Sequence, residues 1–264
     1  MRSFFRALER EGVEAILISG QAAIVYGAST FSEDFDLWVR PSGENLLRLH
    51  RALALVGALV YKLTPPMSLA MARRGHGFHF TVPDDQGGIA YLDVMARPPR
   101  VGSFTAGRAR CETIRTDWGE LPVVGIEDLV RLKLTRRYSD YEVISNLAAI
   151  RLTREGEPRR RVARWALETT FRVDDAVAWA RRWPTVRAAA ATLSRPGLRA
   201  LRPALIAGRE PPPRALEAAR RAVASEIAAH QEADVAYWRP IVDELRQLRS
   251  AGQLMPLGSP LPRE

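Results

Sequence analysis

The sequence predicts an α+β protein, in which a mixed sheet flanked by helices is followed by an all-helical C-terminal region. Two observations carry this prediction. Short apolar or alternating runs typical of strands recur up to residue 124, whereas apolar residues at helical spacing dominate after residue 139. The 264 residues, 47% of them hydrophobic, are sufficient for one large domain or two smaller ones with packed cores.

The first half of the chain alternates predicted helices and strands. Residues 3–11 suit a helix, and residues 14–19 form a short apolar run typical of a buried strand. Residues 20–28 begin a second helix, and residues 34–39 alternate as a strand that Pro41 ends. The remaining predicted elements are a helix at 43–56, strands at 78–82, 89–95, 111–116 and 121–124, and a helix from residue 126.

Helical patterns fill the rest of the chain, at 139–151, 159–170, 173–182, 185–193, 214–238 and 240–250. Pro240 is expected to kink or divide the last two, because it lacks an amide hydrogen and clashes with the preceding turn. We therefore predict a sheet-containing domain at 1–138 and a helical domain at 139–251. The Pro- and Gly-rich end predicts an unordered tail at 252–264.

Positive charge is concentrated in the second half of the chain, which has a net charge of +9 overall. Residues 1–140 hold 18 of the 39 cationic residues and 16 of the 30 acidic ones, so most of the excess follows residue 140. This part is the better candidate for contact with a polyanion such as RNA, although solvated helix faces explain the same charge. Only two cationic residues are lysines, Lys62 and Lys133, which singles them out.

Cysteine usage and the first residues bear on the compartment. The single cysteine, Cys111, excludes both a disulfide within the chain and a metal site built from several cysteines. The basic, apolar start is interrupted by Glu9, Glu11 and Glu14 before a signal-type core forms. No stretch approaches the ~18 apolar residues of a membrane span. We expect a cytoplasmic protein without membrane contact.

Asp34 and Asp36 are the leading candidates for chemistry. Residues two apart on a strand project to the same face, so the two carboxylates lie side by side while Phe35 and Leu37 point into the core. Neighbouring carboxylates repel each other, and a bound Mg²⁺ removes that repulsion. Alone, such a pair is more often part of a solvated turn.

Two neighbouring features strengthen the interpretation of this pair as a metal site. Upstream, a strand ends in the small-residue turn Ser19-Gly20 and enters a helix, which favours phosphate but also occurs without a ligand. Downstream, Asp93 stands in a largely apolar strand, where a carboxylate is unfavourable unless it is paired, metal-bound or on a wet edge.

In this order, Ser19-Gly20, Asp34-Phe35-Asp36 and Asp93 resemble the signature of the nucleotidyltransferase superfamily related to DNA polymerase beta. The segment 123–133, which ends in Lys133, is followed by Asp140, and this further resembles the AbiEii-like abortive-infection toxins and their relatives. The resemblance covers about residues 1–150.

The resemblance implies a nucleotidyltransferase-type sheet and transfer of a nucleoside monophosphate from a nucleoside triphosphate to an acceptor. It implies a Mg²⁺ site formed by Asp34, Asp36 and Asp93. It assigns four residues to the nucleotide: Ser19 and Gly20 along the triphosphate, Lys133 as a neutralising cation, and Asp140 as its orienting partner or near the acceptor. Phosphoryl-type transfer depends mainly on positioning and charge neutralisation, which such a set provides.

The sequence departs from the family at two places. Ser19-Gly20-Gln21 stands where Gly-Gly or Gly-Ser is common, and Thr30-Phe31-Ser32 stands where the family usually has Arg-x-Thr. The missing arginine alters the expected nucleotide contacts but leaves the three carboxylates unchanged.

Three functions remain open. The first is a Mg²⁺-dependent nucleotidyltransferase of a toxin–antitoxin or abortive-infection system, with a cognate antitoxin or toxin as partner and tRNA or other RNA, protein or a small molecule as acceptor. The second is a non-catalytic antitoxin or binding module. The third is an aminoglycoside-type nucleotidyltransferase, which ranks lower because the first half has no excess of acid for a polycationic drug.

Weaker signals surround the predicted site. His76 and His79 lack a third ligand nearby for zinc, and the glycines beside His76 suggest a mobile loop. Several arginines near the predicted strands are either phosphate contacts or plain surface charge: Arg73, Arg74, Arg97, Arg100, Arg108 and Arg110.

Overall fold

The computed structural model describes residues 1–154 and 156–262 of the chain. It divides into two compact units, which are described separately. The first unit comprises Met1–Leu132 together with Tyr237–Glu264, and the second comprises Lys133–Ala236. The return to the first unit, at Tyr237, falls inside the helix predicted at 214–238, so the sequence gives no sign of it.

A seven-stranded mixed sheet forms the centre of the first unit. Its strands are β1 (Ala15–Ile18), β2 (Asp34–Val39), β3 (Leu59–Val60), β4 (Gly77–Pro83), β5 (Ile89–Met95), β6 (Glu112–Thr116) and β7 (Gly119–Val123). Their order is β3-β4-β5-β2-β1-β7-β6. The pairs β2–β5 and β1–β7 are parallel, and the other neighbours are antiparallel. The predicted mixed sheet is therefore confirmed; β3 is too short for its sequence to have indicated a strand.

Six helices lie between or beside these strands in the chain. They are α1 (Arg2–Arg10), α2 (Ser19–Val25), α3 (Gly43–Leu55), α4 (Leu69–Arg74), α5 (Phe104–Ala109) and α6 (Ile126–Leu132). Helix α3 begins at a side-chain cap, since the Ser42 hydroxyl accepts a hydrogen bond from the Asn45 amide at 3.2 Å. The buried Asn45 side chain also bonds the backbone of Glu14 and Arg40, which ties this helix to the ends of β1 and β2.

Side chains alternate strictly between the two faces of the central strands. On β2, Phe35 and Leu37 are buried, whereas Asp34 and Asp36 on the opposite face are half-buried. The neighbouring strands add Phe78, Phe80, Leu92 and Val94 to the buried face. Burial of one face fixes the register, because a slip by one residue would exchange the two faces.

Trp38 lies on the same face as the two aspartates but is fully buried. Its ring packs edge-on against Phe104 of α5, with centroids 5.8 Å apart, and its Nε1 donates to the Ala96 carbonyl at 3.2 Å. Gly107 approaches the ring so closely that a Cβ at that position would overlap it. Helix α5 therefore covers the Trp38 end of this face, while the aspartates remain partly exposed.

The outer edge of β3 is paired by the C-terminal segment. The Val60 amide donates to the Ser259 carbonyl and the Gly258 amide donates to the Val60 carbonyl, each at 2.9 Å. These bonds satisfy edge groups that would otherwise face solvent. They lie within residues 252–264, where the sequence predicts an unordered tail; residues 263 and 264 of that predicted tail lie outside the described residues.

The chain after residue 138 is helical as predicted. Its helices are α7 (Ser139–Thr153), α8 (Arg160–Thr169), α9 (Val173–Arg182), α10 (Pro184–Ala190), a 3₁₀ helix (Pro196–Leu201), α11 (Arg202–Ala207) and α12 (Pro213–Ser250). Helix α12 continues through Pro240 as one element, where the sequence predicts a kink or a division. Across the described ranges, no helix combines the length and apolar character needed to cross a membrane.

Replacing Gly107 with alanine is expected to destabilise the protein by ~1–3 kcal/mol, because the added methyl group overlaps the buried Trp38 ring. Urea unfolding followed by tryptophan fluorescence measures the difference. Gly43→Ala in α3 is the matched control, since a Cβ there meets no atom within 4 Å. Equal stability of the two variants would contradict the close packing of α5 on Trp38.

Candidate active site

Three carboxylates lie on the same half-buried face of the sheet. Asp34 and Asp36 project from β2, and the parallel register sets Asp36 opposite Asp93 of β5 and Asp34 opposite Tyr91. Neighbouring strands lie about 4.8 Å apart, so residues in register are direct neighbours. The side chains of Asp34 and Asp93 are 32% and 20% exposed, which leaves their oxygens accessible from solvent.

A lysine ammonium lies between two of these carboxylates. Lys62 Nζ is 3.7 Å from Asp34 Oδ2 and 3.8 Å from Asp93 Oδ2. These separations exceed hydrogen-bond length, so the ammonium acts as a shared counter-charge. Its backbone has a φ of +56°, a left-handed conformation that is uncommon for a residue with a side chain. The only sequence signal for Lys62 is that lysine is rare in this chain.

The backbone around Lys62 is tied to β4 at His79. The Tyr61 amide donates to the His79 carbonyl at 2.8 Å, and the His79 amide donates to the Thr64 hydroxyl at 3.2 Å. Thr64 is fully buried, and its carbonyl accepts from the Met255 amide at 2.9 Å. Lys62 is therefore held on both sides by fixed backbone rather than by a flexible loop.

His79 orients the third carboxylate. The antiparallel register sets His79 opposite Asp93, and His79 Nδ1 lies 2.7 Å from Asp93 Oδ1. The imidazole side chain is 23% exposed. Asp93 thus has one oxygen beside an imidazole and the other beside the Lys62 ammonium, which fixes its rotamer in the site. Strand register across β4 and β5 creates this contact, so sequence spacing alone does not reveal it.

The Ser19-Gly20 turn adjoins the carboxylates through β1. Ile18, the last residue of β1, is paired with Asp36, and the chain then turns into α2 at Ser19 with a left-handed φ of +59°. A Cβ on Gly20 would overlap the Ser32 side chain. Only glycine therefore allows the segment before β2 to pack against the start of α2.

The two departures from the family pattern contact each other. Gln21, which is buried, donates from Nε2 to the Ser32 carbonyl at 3.1 Å, and the Ser32 hydroxyl donates to the Asp34 carbonyl at 3.1 Å. Ser32 thereby links the α2 turn to the first residue of β2. Gln21 and Ser32 thus form a hydrogen-bonded connection between α2 and the Asp34 backbone.

Lys133 and Asp140 belong to the second unit and pair with each other. Lys133 Nζ lies 2.7 Å from Asp140 Oδ1, and the Thr135 hydroxyl donates to Asp140 Oδ2. Both charged side chains are largely buried, at 11% and 8% exposure. Asp140 accordingly fixes the direction of the Lys133 ammonium. The structure brings together Asp34, Asp36 and Asp93 near Ser19 and Gly20 in the first unit, and Lys133 with Asp140 in the second.

His76 differs from its expected setting in a mobile loop. It is fully buried, and its Nε2 lies 2.8 Å from Glu244 Oε2 on α12. Gly75 ends α4 with a left-handed φ of +91°, and a Cβ on Gly77 would crowd the His79 ring. Gly75 therefore ends a helix, and Gly77 allows the His79 ring to pack closely against the backbone.

The carboxylates fit a hard divalent cation by type of donor. Oxygen ligands on one accessible face are what Mg²⁺ prefers. Within the described ranges, no group of three or more His, Cys, Asp or Glu side chains has its donors gathered for a metal ion. Lys62 instead neutralises Asp34 and Asp93. Because these ion pairs are long and the lysine side chain is 42% exposed, moving the ammonium aside costs little.

Cys111 is not suited to act as a nucleophile. Burial raises the pKa of its thiol to about 11, so the reactive thiolate is scarce at neutral pH.

Comparison with protein-family models and with curated proteins finds no match to the chain. The functional assignment therefore depends on the geometry and chemistry of the residues above.

Alkylation of native Cys111 by iodoacetamide at pH 8 is expected to be about 100-fold slower than that of free cysteine, because the raised pKa depletes the thiolate. Mass spectrometry over time gives the rate, and urea-unfolded protein is the control that should react like free cysteine. Equal rates in native and unfolded protein would show that burial does not suppress the thiolate.

Lys62→Met is expected to tighten binding of Mn²⁺, a probe for Mg²⁺, by about two- to fivefold, because a competing charge worth ~1 kcal/mol or less is removed. Titration calorimetry on EDTA-stripped protein measures this. Arg6→Met, which removes an exposed cation on α1, should leave the affinity unchanged. If Mn²⁺ binds Lys62→Met no better than wild type, Lys62 does not compete for the carboxylates.

Proposed function

We propose that this protein is a divalent-metal-dependent nucleotidyltransferase with a sheet of the DNA polymerase beta-related type. The observation that carries the proposal is the parallel register between β2 and β5. It sets Asp34 and Asp36 beside Asp93 on one accessible face, next to the Ser19-Gly20 turn. The same motifs, in the same order along the chain, are those on which the family resemblance depends.

Each residue of the site has a task in such a transfer. Asp34, Asp36 and Asp93 would hold Mg²⁺, which when bound supplies positive charge to the phosphate oxygens. His79 keeps Asp93 in one orientation through the 2.7 Å contact. Lys62, whose ammonium lies 3.7 Å from Asp34 Oδ2, would neutralise negative charge that develops on a phosphate bound at these carboxylates.

The nucleotide contacts expected from the resemblance extend this assignment. Ser19 and Gly20 line the triphosphate, and their closeness to Asp36 through Ile18 supports this role. Lys133 neutralises a phosphate, and Asp140 orients Lys133; the 2.7 Å contact between them supports the orienting part.

The acceptor is best sought among polyanions. Most of the net positive charge follows residue 140, which favours tRNA or another RNA over a protein or a small molecule. This charge and the resemblance to AbiEii-like toxins together support a place in an abortive-infection or toxin–antitoxin system, where a cognate antitoxin or toxin would be the protein partner.

A second candidate function is a non-catalytic binding module or antitoxin that retains the same sheet. The position of Lys62 favours it, because an internal ammonium already balances Asp34 and Asp93. In that case the carboxylates serve the stability of the sheet instead of a transfer reaction.

Incubation with Mg²⁺ and each α-³²P-labelled nucleoside triphosphate is expected to label total tRNA, with cell protein and small molecules as parallel acceptors. Asp34→Asn and Asp93→Asn should each lower labelling about 10²-fold or more, since a charged group at the reacting phosphates is lost. Asp117→Asn, an exposed carboxylate in the β6–β7 turn, is the matched control.

The outcome separates the two candidates. Label transferred equally well by wild type and Asp34→Asn would refute the carboxylate site. No transfer to any acceptor, together with neutralisation of a partner toxin by both wild type and Asp34→Asn, would establish the binding module instead.

A further inference from the structure

A pocket lies beyond the carboxyl ends of β2 and β5 in the first unit. Its volume is about 560 Å³, which is within the range of small-molecule sites. Pro41, just after β2, and Ala96, just after β5, contribute to its wall. It lies past Val39, about 10 Å along the strand from Asp36. Trp38 and Phe104 pack between the two regions, so the pocket is distinct from the carboxylate face.

Three arginines line this pocket: Arg73 from the last turn of α4, and Arg97 and Arg100 from the segment after β5. Of the described residues that form its lining, none is acidic. Neither Arg73 nor Arg97 forms an ion pair with a carboxylate in the described part of the chain, whereas adjacent Arg74 pairs with Glu244. Two of the arginines in the pocket, Arg73 and Arg97, therefore carry charge that no carboxylate of the described residues neutralises.

The segment carrying these arginines is held in a fixed conformation. Arg97 Nη1 donates to the Arg73 carbonyl at 3.3 Å, and Arg100 Nε donates to the Arg131 carbonyl at 2.9 Å. Pro98 and Pro99 are buried, and their rings restrict the backbone between Arg97 and Arg100. Arg100 has a left-handed φ of +68°, which costs ~1 kcal/mol or more for a residue with a side chain. Strain of this kind persists where surrounding contacts impose it.

The remaining wall is apolar and aromatic. Phe104, Tyr237 and the prolines at 41, 98 and 99 form most of it. Guanidinium groups donate paired hydrogen bonds to phosphate oxygens, and aromatic or proline surfaces pack against a planar ring. A nucleotide carries both a phosphate and a planar base on one small molecule, and its size suits the pocket volume of about 560 Å³.

We propose that this pocket binds a nucleoside phosphate, with Arg73 and Arg97 on the phosphate and the exposed Tyr237 ring against the base. Binding needs no metal, because the arginines supply the positive charge. The proposal is independent of the transferase assignment, since no residue of the carboxylate face lines the pocket.

Calorimetric titration of the full chain in EDTA tests the proposal, with 5′-AMP, adenosine and inorganic phosphate as separate probes. We expect 5′-AMP to bind one to one and at least tenfold more tightly than either adenosine or phosphate. The double variant Arg73→Ala/Arg97→Ala should bind 5′-AMP at least tenfold more weakly than wild type. Arg6→Ala and Asp34→Asn should keep wild-type affinity, the first as a charge control and the second as a control for the carboxylate face.

Chemical modification supplies a readout on the unaltered protein. Phenylglyoxal modifies accessible arginines, and 5′-AMP should protect Arg73 and Arg97, but not Arg6, as measured by mass spectrometry. The proposal is overturned if 5′-AMP does not bind, if it protects neither pocket arginine, or if Asp34→Asn abolishes binding. Tighter binding of inorganic phosphate than of 5′-AMP would also overturn it, since the aromatic wall would then contribute nothing.

Discussion

The pairing of β2 with β5 is the constraint on which the rest of the first unit depends. Parallel pairing puts residues in register on the same face, so the apolar positions of both strands meet in the core and Asp36 and Asp93 meet outside it. Burial of the apolar side chains fixes the register of β2 against β5. The same register determines which residues neighbour each carboxylate. The like charges gathered in this way require a counter-charge, and Lys62 provides it.

The same sheet separates two regions of opposite charge. The carboxylates project from β2 and β5 themselves, and the arginine pocket lies past the carboxyl ends of these strands. Trp38, packed by Phe104 and the close approach of Gly107, fills the space between them. A tightly packed, uncharged element between acidic and basic groups keeps the two from forming ion pairs with each other, so both remain accessible to ligands.

Sequence periodicity predicts the parts of this arrangement that depend on neighbours in the chain. Alternation places Asp34 and Asp36 on one face of a strand, and the confirmed mixed sheet and helical C-terminal region follow from the same patterns. Contacts across strands are a different matter. Lys62 and His79 reach the carboxylates only through the pairing of β4 with β5 and of the Tyr61 segment with β4, which spacing does not encode. The return of α12 to the first unit is hidden for a similar reason, since Tyr237 lies within the helical pattern predicted at 214–238.

The pairing of the C-terminal segment with β3 has a consequence for how the chain can be altered. Gly258 and Ser259 form backbone hydrogen bonds with Val60, and Met255 forms one with Thr64. Val60 and Thr64 lie two positions before and two positions after Lys62. A deletion after residue 251 would remove these bonds and loosen the strained lysine between them. Shortening the chain about 190 residues away in sequence would thus change the charge balance among the carboxylates.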